Sequence, residues 1–140
     1  MGLLIGIGNR TASNANSLWY GVQWDSTNAS PTMTRIGNSI LHQTLPIHQK
    51  MKGCLLLDNG AVNYYLNPSN WTKKQNNTAS NRTGTDGQVM VECPEIYWKF
   101  ETDGNIKRAM ISEFPLPGFY RTPKFYVSAY EASLHRPTSK

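Results

Sequence analysis

The sequence predicts a mostly β protein: a small antiparallel β-sheet domain of hairpins, with long loops and at most one short helix. Three observations carry this expectation. Charged residues make up only 16% of the 140 residues, beside 13 Asn, 11 Ser and 12 Thr, so residues that populate exposed helix faces are scarce and strand and turn formers plentiful. Apolar and polar residues alternate with a period of two in several short stretches. Asn-Gly and Asp-Gly dipeptides stand between such stretches, and this is the strongest short-range signal for a hairpin.

Tyr20, Val22 and Trp24 alternate with Gly21 and Gln23, the pattern of a half-buried strand. The polar segment before them reads as loop. Ile40, Leu41, Leu45 and Ile47 would share one side of a short helix between Asn38 and Met51, which Pro46 limits by removing a backbone donor. Cys54 to Leu57 and Ala61 to Leu66 flank Asp58-Asn59-Gly60 and read as a hairpin on a type I′ turn. Residues 67–87 have almost no periodic apolar content except Trp71 and read as a long loop open to a partner. Gln88 to Cys93 and Ile96 to Glu101 are successive strands across Pro94-Glu95. Asp103-Gly104 then turns the chain into a strand over Ile106 to Ser112. Leu116-Pro117-Gly118-Phe119 is a further turn, and Lys124 to Ala132 reads as the last strand.

The length suits one ordinary domain. The net charge of +5 is dispersed over short doublets such as Lys73-Lys74 and Lys107-Arg108, which describes a solvated surface better than a nucleic-acid site. No apolar run approaches the ~20 residues of a membrane span. No basic segment precedes Leu3-Leu4-Ile5-Gly6-Ile7, so no signal peptide is expected. Cys54 and Cys93 lack CxxC spacing and read as buried thiols, their pairing left open. His42, His48 and His135 match no ligand pattern, and neither a metal nor a cofactor is expected. Five Asn-x-Ser/Thr sequons, at Asn9, Asn28, Asn70, Asn76 and Asn81, read as a consequence of the Asn- and Thr-rich composition.

Two function classes fit these residues. In a carbohydrate-binding or glycan-cleaving domain, Trp71, Tyr64 and Tyr65 would line an open groove, with Glu92 or Glu95 inside it as acid or base. In a structural or adhesion module, the same aromatics would touch a partner. Leu3, Leu4, Ile5 and Ile7 would then be covered by another chain. No enzymatic activity is expected, because single carboxylates at strand ends are ordinary surface residues.

Several blocks carry a family resemblance: Tyr20-Gly21-Val22-Gln23-Trp24-Asp25, Thr34-Arg35-Ile36-Gly37-Asn38, Met51-Lys52-Gly53-Cys54, Asn63-Tyr64-Tyr65-Leu66, Gly87-Gln88-Val89-Met90-Val91-Glu92, Leu116-Pro117-Gly118-Phe119 and Val127-Ser128-Ala129-Tyr130-Glu131-Ala132. In this order they resemble the N-terminal half of tail-fibre or adhesin-like proteins from phages and prophages of gut Bacteroidales. The resemblance runs from about Leu3 to the end. Such proteins continue into a C-terminal domain similar to the C-type-lectin or formylglycine-generating-enzyme fold, and the resemblance here covers the part that precedes it. The resemblance implies an attachment or assembly segment over 1–18 and a β-rich domain over 19–140 that stops short of the lectin-like part. It implies a virion location, a homotrimer or other virion proteins as partners, and a host surface glycan or protein as the target of the whole fibre.

Overall fold

The computed structural model describes residues 17–131. Leu3, Leu4, Ile5 and Ile7, expected at an assembly interface, lie outside the described residues, as does His135. In chain order the elements are β1 (Trp19–Asp25), β2 (Thr34–Gly37), α1 (Ser39–Thr44), α2 (Pro46–Gln49), β3 (Lys52–Leu56), β4 (Val62–Asn67), β5 (Asn70–Lys74), β6 (Gln88–Cys93), β7 (Ile96–Asp103), β8 (Ile106–Ser112), β9 (Tyr120–Thr122) and β10 (Phe125–Ser128). The strands form two five-stranded sheets, ordered β2-β1-β8-β7-β9 and β10-β6-β3-β4-β5. All pairings are antiparallel. Among the described residues, no helix is long and apolar enough to cross a membrane.

One ribbon joins the sheets. β6 pairs with β10 in the second sheet and β7 with β9 in the first, and the register runs on unbroken: Cys93 faces Phe125, and three residues along each strand Ile96 faces Thr122. Pro94 and Pro123 fall in the gap between the two ladders. Proline donates no ladder hydrogen bond, so it suits the point where a strand leaves one sheet for another.

The β3–β4 hairpin forms where expected, on a different turn. The Gly60 N–H donates to the Leu57 carbonyl at 2.9 Å, and the Leu57 N–H donates to the Ala61 carbonyl at 2.9 Å. Gly60 has φ +81° while Asn59 is not left-handed, so a type I turn followed by a left-handed glycine replaces the expected type I′ pair. The Asn59 side chain instead accepts from the Ala61 N–H at 2.9 Å. In the β7–β8 hairpin Asp103 faces Ile106, so Gly104-Asn105 is the two-residue loop. Gly104 holds its positive φ of +55° at the first loop position, where glycine is favoured.

The expected helix is present but broken at Leu45. Asn38 caps α1, its Oδ1 accepting from the Ile40 N–H at 2.9 Å, as a helix start requires. Leu45 then turns left-handed at φ 46° and Pro46 opens α2, the first-turn position that needs no donor. The break resets the phase: Ile47 is buried, but Ile40 and Leu45 are exposed and do not form the shared apolar side expected of one continuous helix.

Residues 67–87, expected to be loop throughout, contain β5 and a series of asparagine-capped turns. Asn70, Asn76 and Asn81 each accept at Oδ1 from the N–H two residues on at 3.0–3.1 Å and from that residue's threonine hydroxyl at 2.7 Å. Asn28 accepts the Ser30 N–H in the same way at 3.0 Å. The Asn-x-Ser/Thr repeats within the described residues are thus a turn device, and composition alone is not their explanation.

Candidate functional site

The aromatics singled out in the sequence divide between two faces of the second sheet. Tyr64 is opposite Leu55 on β3, while Tyr65 is opposite Cys54, and successive residues of a strand point to opposite faces. Tyr64 and Trp71 pack against the buried cluster of Leu55, Leu66 and Val89. Trp71 lies directly over Gly53, where an added Cβ would come within 2.7 Å of the indole. The Tyr64 hydroxyl donates to Asp86 at 2.8 Å and accepts from the Asn81 N–H at 3.0 Å, tying the asparagine-rich segment to the sheet. The structure brings Trp71 and Tyr64 together as cover for a small core and sets Tyr65 apart.

Tyr65 belongs to a second group, centred on Glu92. One carboxylate oxygen, Oε2, accepts from the Tyr65 hydroxyl at 2.9 Å, the Tyr126 hydroxyl at 3.0 Å and the Lys124 ammonium at 3.3 Å. Burial pushes the Glu92 carboxyl up, but these three donors and the Lys124 charge outweigh it and hold the group below the ordinary carboxylate range. Across Pro94, Glu95 is bonded to Arg121 and accepts from the Tyr97 hydroxyl at 2.8 Å. Those hydrogen bonds lower its carboxyl as well. Both groups are held as carboxylates, whereas a glycosidase needs one carboxyl raised enough to carry a proton near neutrality.

His42 is similarly occupied, Nε2 lying 2.8 Å from the Ile36 carbonyl and the ring edge-on to Tyr20 at 5.3 Å. Among the described residues, no three His, Cys, Asp or Glu side chains gather as a metal site. Cys54 and Cys93 are buried free thiols. Burial pushes both above the ordinary thiol range.

Among the described residues, a groove lies on the first sheet. Opposed residues of an antiparallel pair share a face, and two cross-strand rows form its floor: Thr34, Gln23, Arg108 and Glu101 in one, and Ile36, Gly21, Met110 and Lys99 in the next. The Leu116–Phe119 turn, closed by the Phe119 N–H donating to the Leu116 carbonyl at 3.0 Å, borders the cleft together with Trp19, which packs against Gly37. The cavity encloses about 790 Å³, within the range of small-ligand sites. Arg35 borders it from β2, although its register partner Val22 places it on the other face.

The floor sets two cations, Lys99 and Arg108, beside one carboxylate, Glu101. Lys99 bonds Glu101 at 2.7 Å. Arg108 donates from Nε to Gln23 at 3.3 Å, and its terminal nitrogens lie 3.9 Å from Glu101 Oε2 and 3.5 Å from Asp103. Those last two separations are ion pairs rather than good hydrogen bonds. Alternation along β7 puts Lys99 and Glu101 on one face of the strand. That Gln23, Arg108 and the Leu116–Phe119 turn meet them there depends on strand pairings between distant parts of the chain, which no local pattern reveals.

On the opposite face of the same sheet, Trp98 stacks between Phe100 and Tyr120, with both ring pairs 5.2 Å apart. Phe100 is 66% and Tyr120 65% exposed. No protein-family model matches this chain, and neither does any curated protein or solved structure.

Proposed function

We propose that the chain is a structural and attachment module of a phage virion, a tail-fibre or adhesin component acting without catalysis. It assembles as a homotrimer or with other virion proteins and contributes to host attachment. The observation that supports assembly is the aromatic ridge of Trp98, Phe100 and Tyr120, because large aromatic side chains left together in solvent are typical of protein interfaces. The ridge flanks β9, a strand of three residues at the edge of its sheet. The held ionised state of Glu92 and Glu95 supports a non-enzymatic reading. A second reading, a small carbohydrate-binding domain, is favoured by the cleft on the first sheet.

Light scattering on the purified chain tests the assembly. The expected result is a trimer that dissociates in the double variant Phe100→Ser with Tyr120→Ser. The variant carrying Leu3→Ser, Leu4→Ser, Ile5→Ser and Ile7→Ser tests the N-terminal segment in the same way. A monodisperse monomer of the unmodified chain at all concentrations would contradict the assembly reading.

A further inference from the structure

We infer that the cleft on the first sheet is a binding site for a neutral saccharide. The inference rests on the attachment half of the proposed function and names what that half would recognise. Three polar groups with unused hydrogen-bonding capacity converge on the floor. Among the described residues, the terminal nitrogens of Arg108 reach no acceptor closer than 3.5 Å, and Glu101 Oε2 lies 3.9 Å from its cation. Gln23 uses its carbonyl oxygen for Arg108 Nε, which leaves its amide N–H groups for a ligand.

Donors and acceptors therefore alternate along the row Gln23, Arg108 and Glu101, as vicinal hydroxyls require, since each hydroxyl both donates and accepts. On the floor Lys99 is paired with Glu101, and Arg108 with Asp103 just outside the lining, while Arg35 reaches the rim from the other face as a third cation. An anionic sugar or a phosphodiester chain would meet floor cations already engaged by carboxylates, with Glu101 itself on the floor, whereas a floor for such ligands would carry unpaired positive charge. Apolar surface from Trp19, Leu116 and Phe119 borders the same floor, with the buried Met110 directly beneath it. The carbon-bound hydrogens of a pyranose ring present an apolar face to such side chains, so one ligand class satisfies both parts of the lining.

An array bearing neutral hexose and N-acetylhexosamine oligosaccharides beside sialylated and uronic-acid ones, probed with the full chain, tests this. The neutral glycan that binds is then titrated while the Trp19 indole and Met110 methyl resonances are followed. Binding of a neutral glycan that shifts both resonances is the expected result. Glu101→Gln and Phe119→Ala, each checked for an unchanged thermal transition, are expected to weaken it about tenfold, and Trp71→Ala to leave it unchanged. Binding restricted to acidic glycans, no binding at millimolar concentration, or shifts confined to residues away from Trp19 and Met110 would each overturn the inference; the titration of the unmodified chain decides this even if a variant fails to fold. Light scattering on the same samples separates the readings: a trimer that binds no glycan overturns the saccharide site and leaves assembly standing.

Discussion

Two glutamates, one in each sheet, behave oppositely. Glu92 is 12% exposed at its side chain and accepts from three donors at one oxygen, while Glu101 is 37% exposed and has one close partner, Lys99, with its second oxygen 3.9 Å from Arg108. Both stand on strands of the ribbon that joins the sheets. A buried carboxylate costs free energy unless its partners are in place, and around Glu92 the partners come from β4, β10 and the corner between the sheets. That arrangement holds the fold together. Around Glu101 one partner is close, the other is 3.9 Å away and the surroundings are open, an arrangement that adds little stability but leaves hydrogen-bonding capacity for a ligand.

The largest expected effect lies beneath the satisfied region. Leu55 is fully buried in the second sheet's core, and Leu55→Ala should cost about 2–5 kcal/mol in urea unfolding. A cost near zero would mean that this sheet does not carry the core. Glu92→Gln is next, about 1.5–3 kcal/mol for charge-assisted hydrogen bonds. Because its folded pKa is depressed, Glu92 stabilises fully above the unfolded carboxyl range near ~4.3 and progressively less as pH falls through the folded value. The unmodified protein should thus lose stability on acidification below about pH 5 more steeply than Glu92→Gln. Parallel acid titrations of the two would refute the clamp.

Gly53→Val should cost about 1–3 kcal/mol by overpacking, since a Cβ there meets the Trp71 indole. The Trp71 indole resonance should move with it. If that resonance stays in place, Trp71 is not held over Gly53. The smallest effect is chemical: Cys54 and Cys93 should resist a thiol reagent in the native protein at pH 8 and react once unfolded. Rapid native reaction of either would show that the second sheet opens readily.

Much of the β architecture was legible locally. The hairpins at Asp58-Asn59-Gly60 and Asp103-Gly104 announce themselves through their turn residues, although which residue turns left-handed was decided by register, one position from the simplest reading in the second hairpin. β2 and β9 are short edge strands of four and three residues, too brief for alternation to register. β5 escaped because Asn70-Trp71-Thr72-Lys73-Lys74 holds one apolar residue, and its asparagines signal turns. The candidate site was less legible than the fold. Trp71 looked like an isolated platform because the glycine beneath it is distant in sequence, and Glu92 looked like an acid or base because its three donors come from β4, β10 and the corner before β10, all distant in sequence. The cleft floor runs across four strands and exists only once β1 has paired with both β2 and β8.

The central claim is this division of labour, and the most direct test measures both properties on Glu92→Gln and Glu101→Gln side by side: the urea midpoint, and affinity for the neutral glycan found on the array. The expected result is a double dissociation. Glu92→Gln lowers the midpoint and leaves affinity unchanged, while Glu101→Gln keeps the midpoint and weakens binding about tenfold. Loss of affinity in Glu92→Gln with full stability, or loss of stability in Glu101→Gln with full affinity, would contradict it.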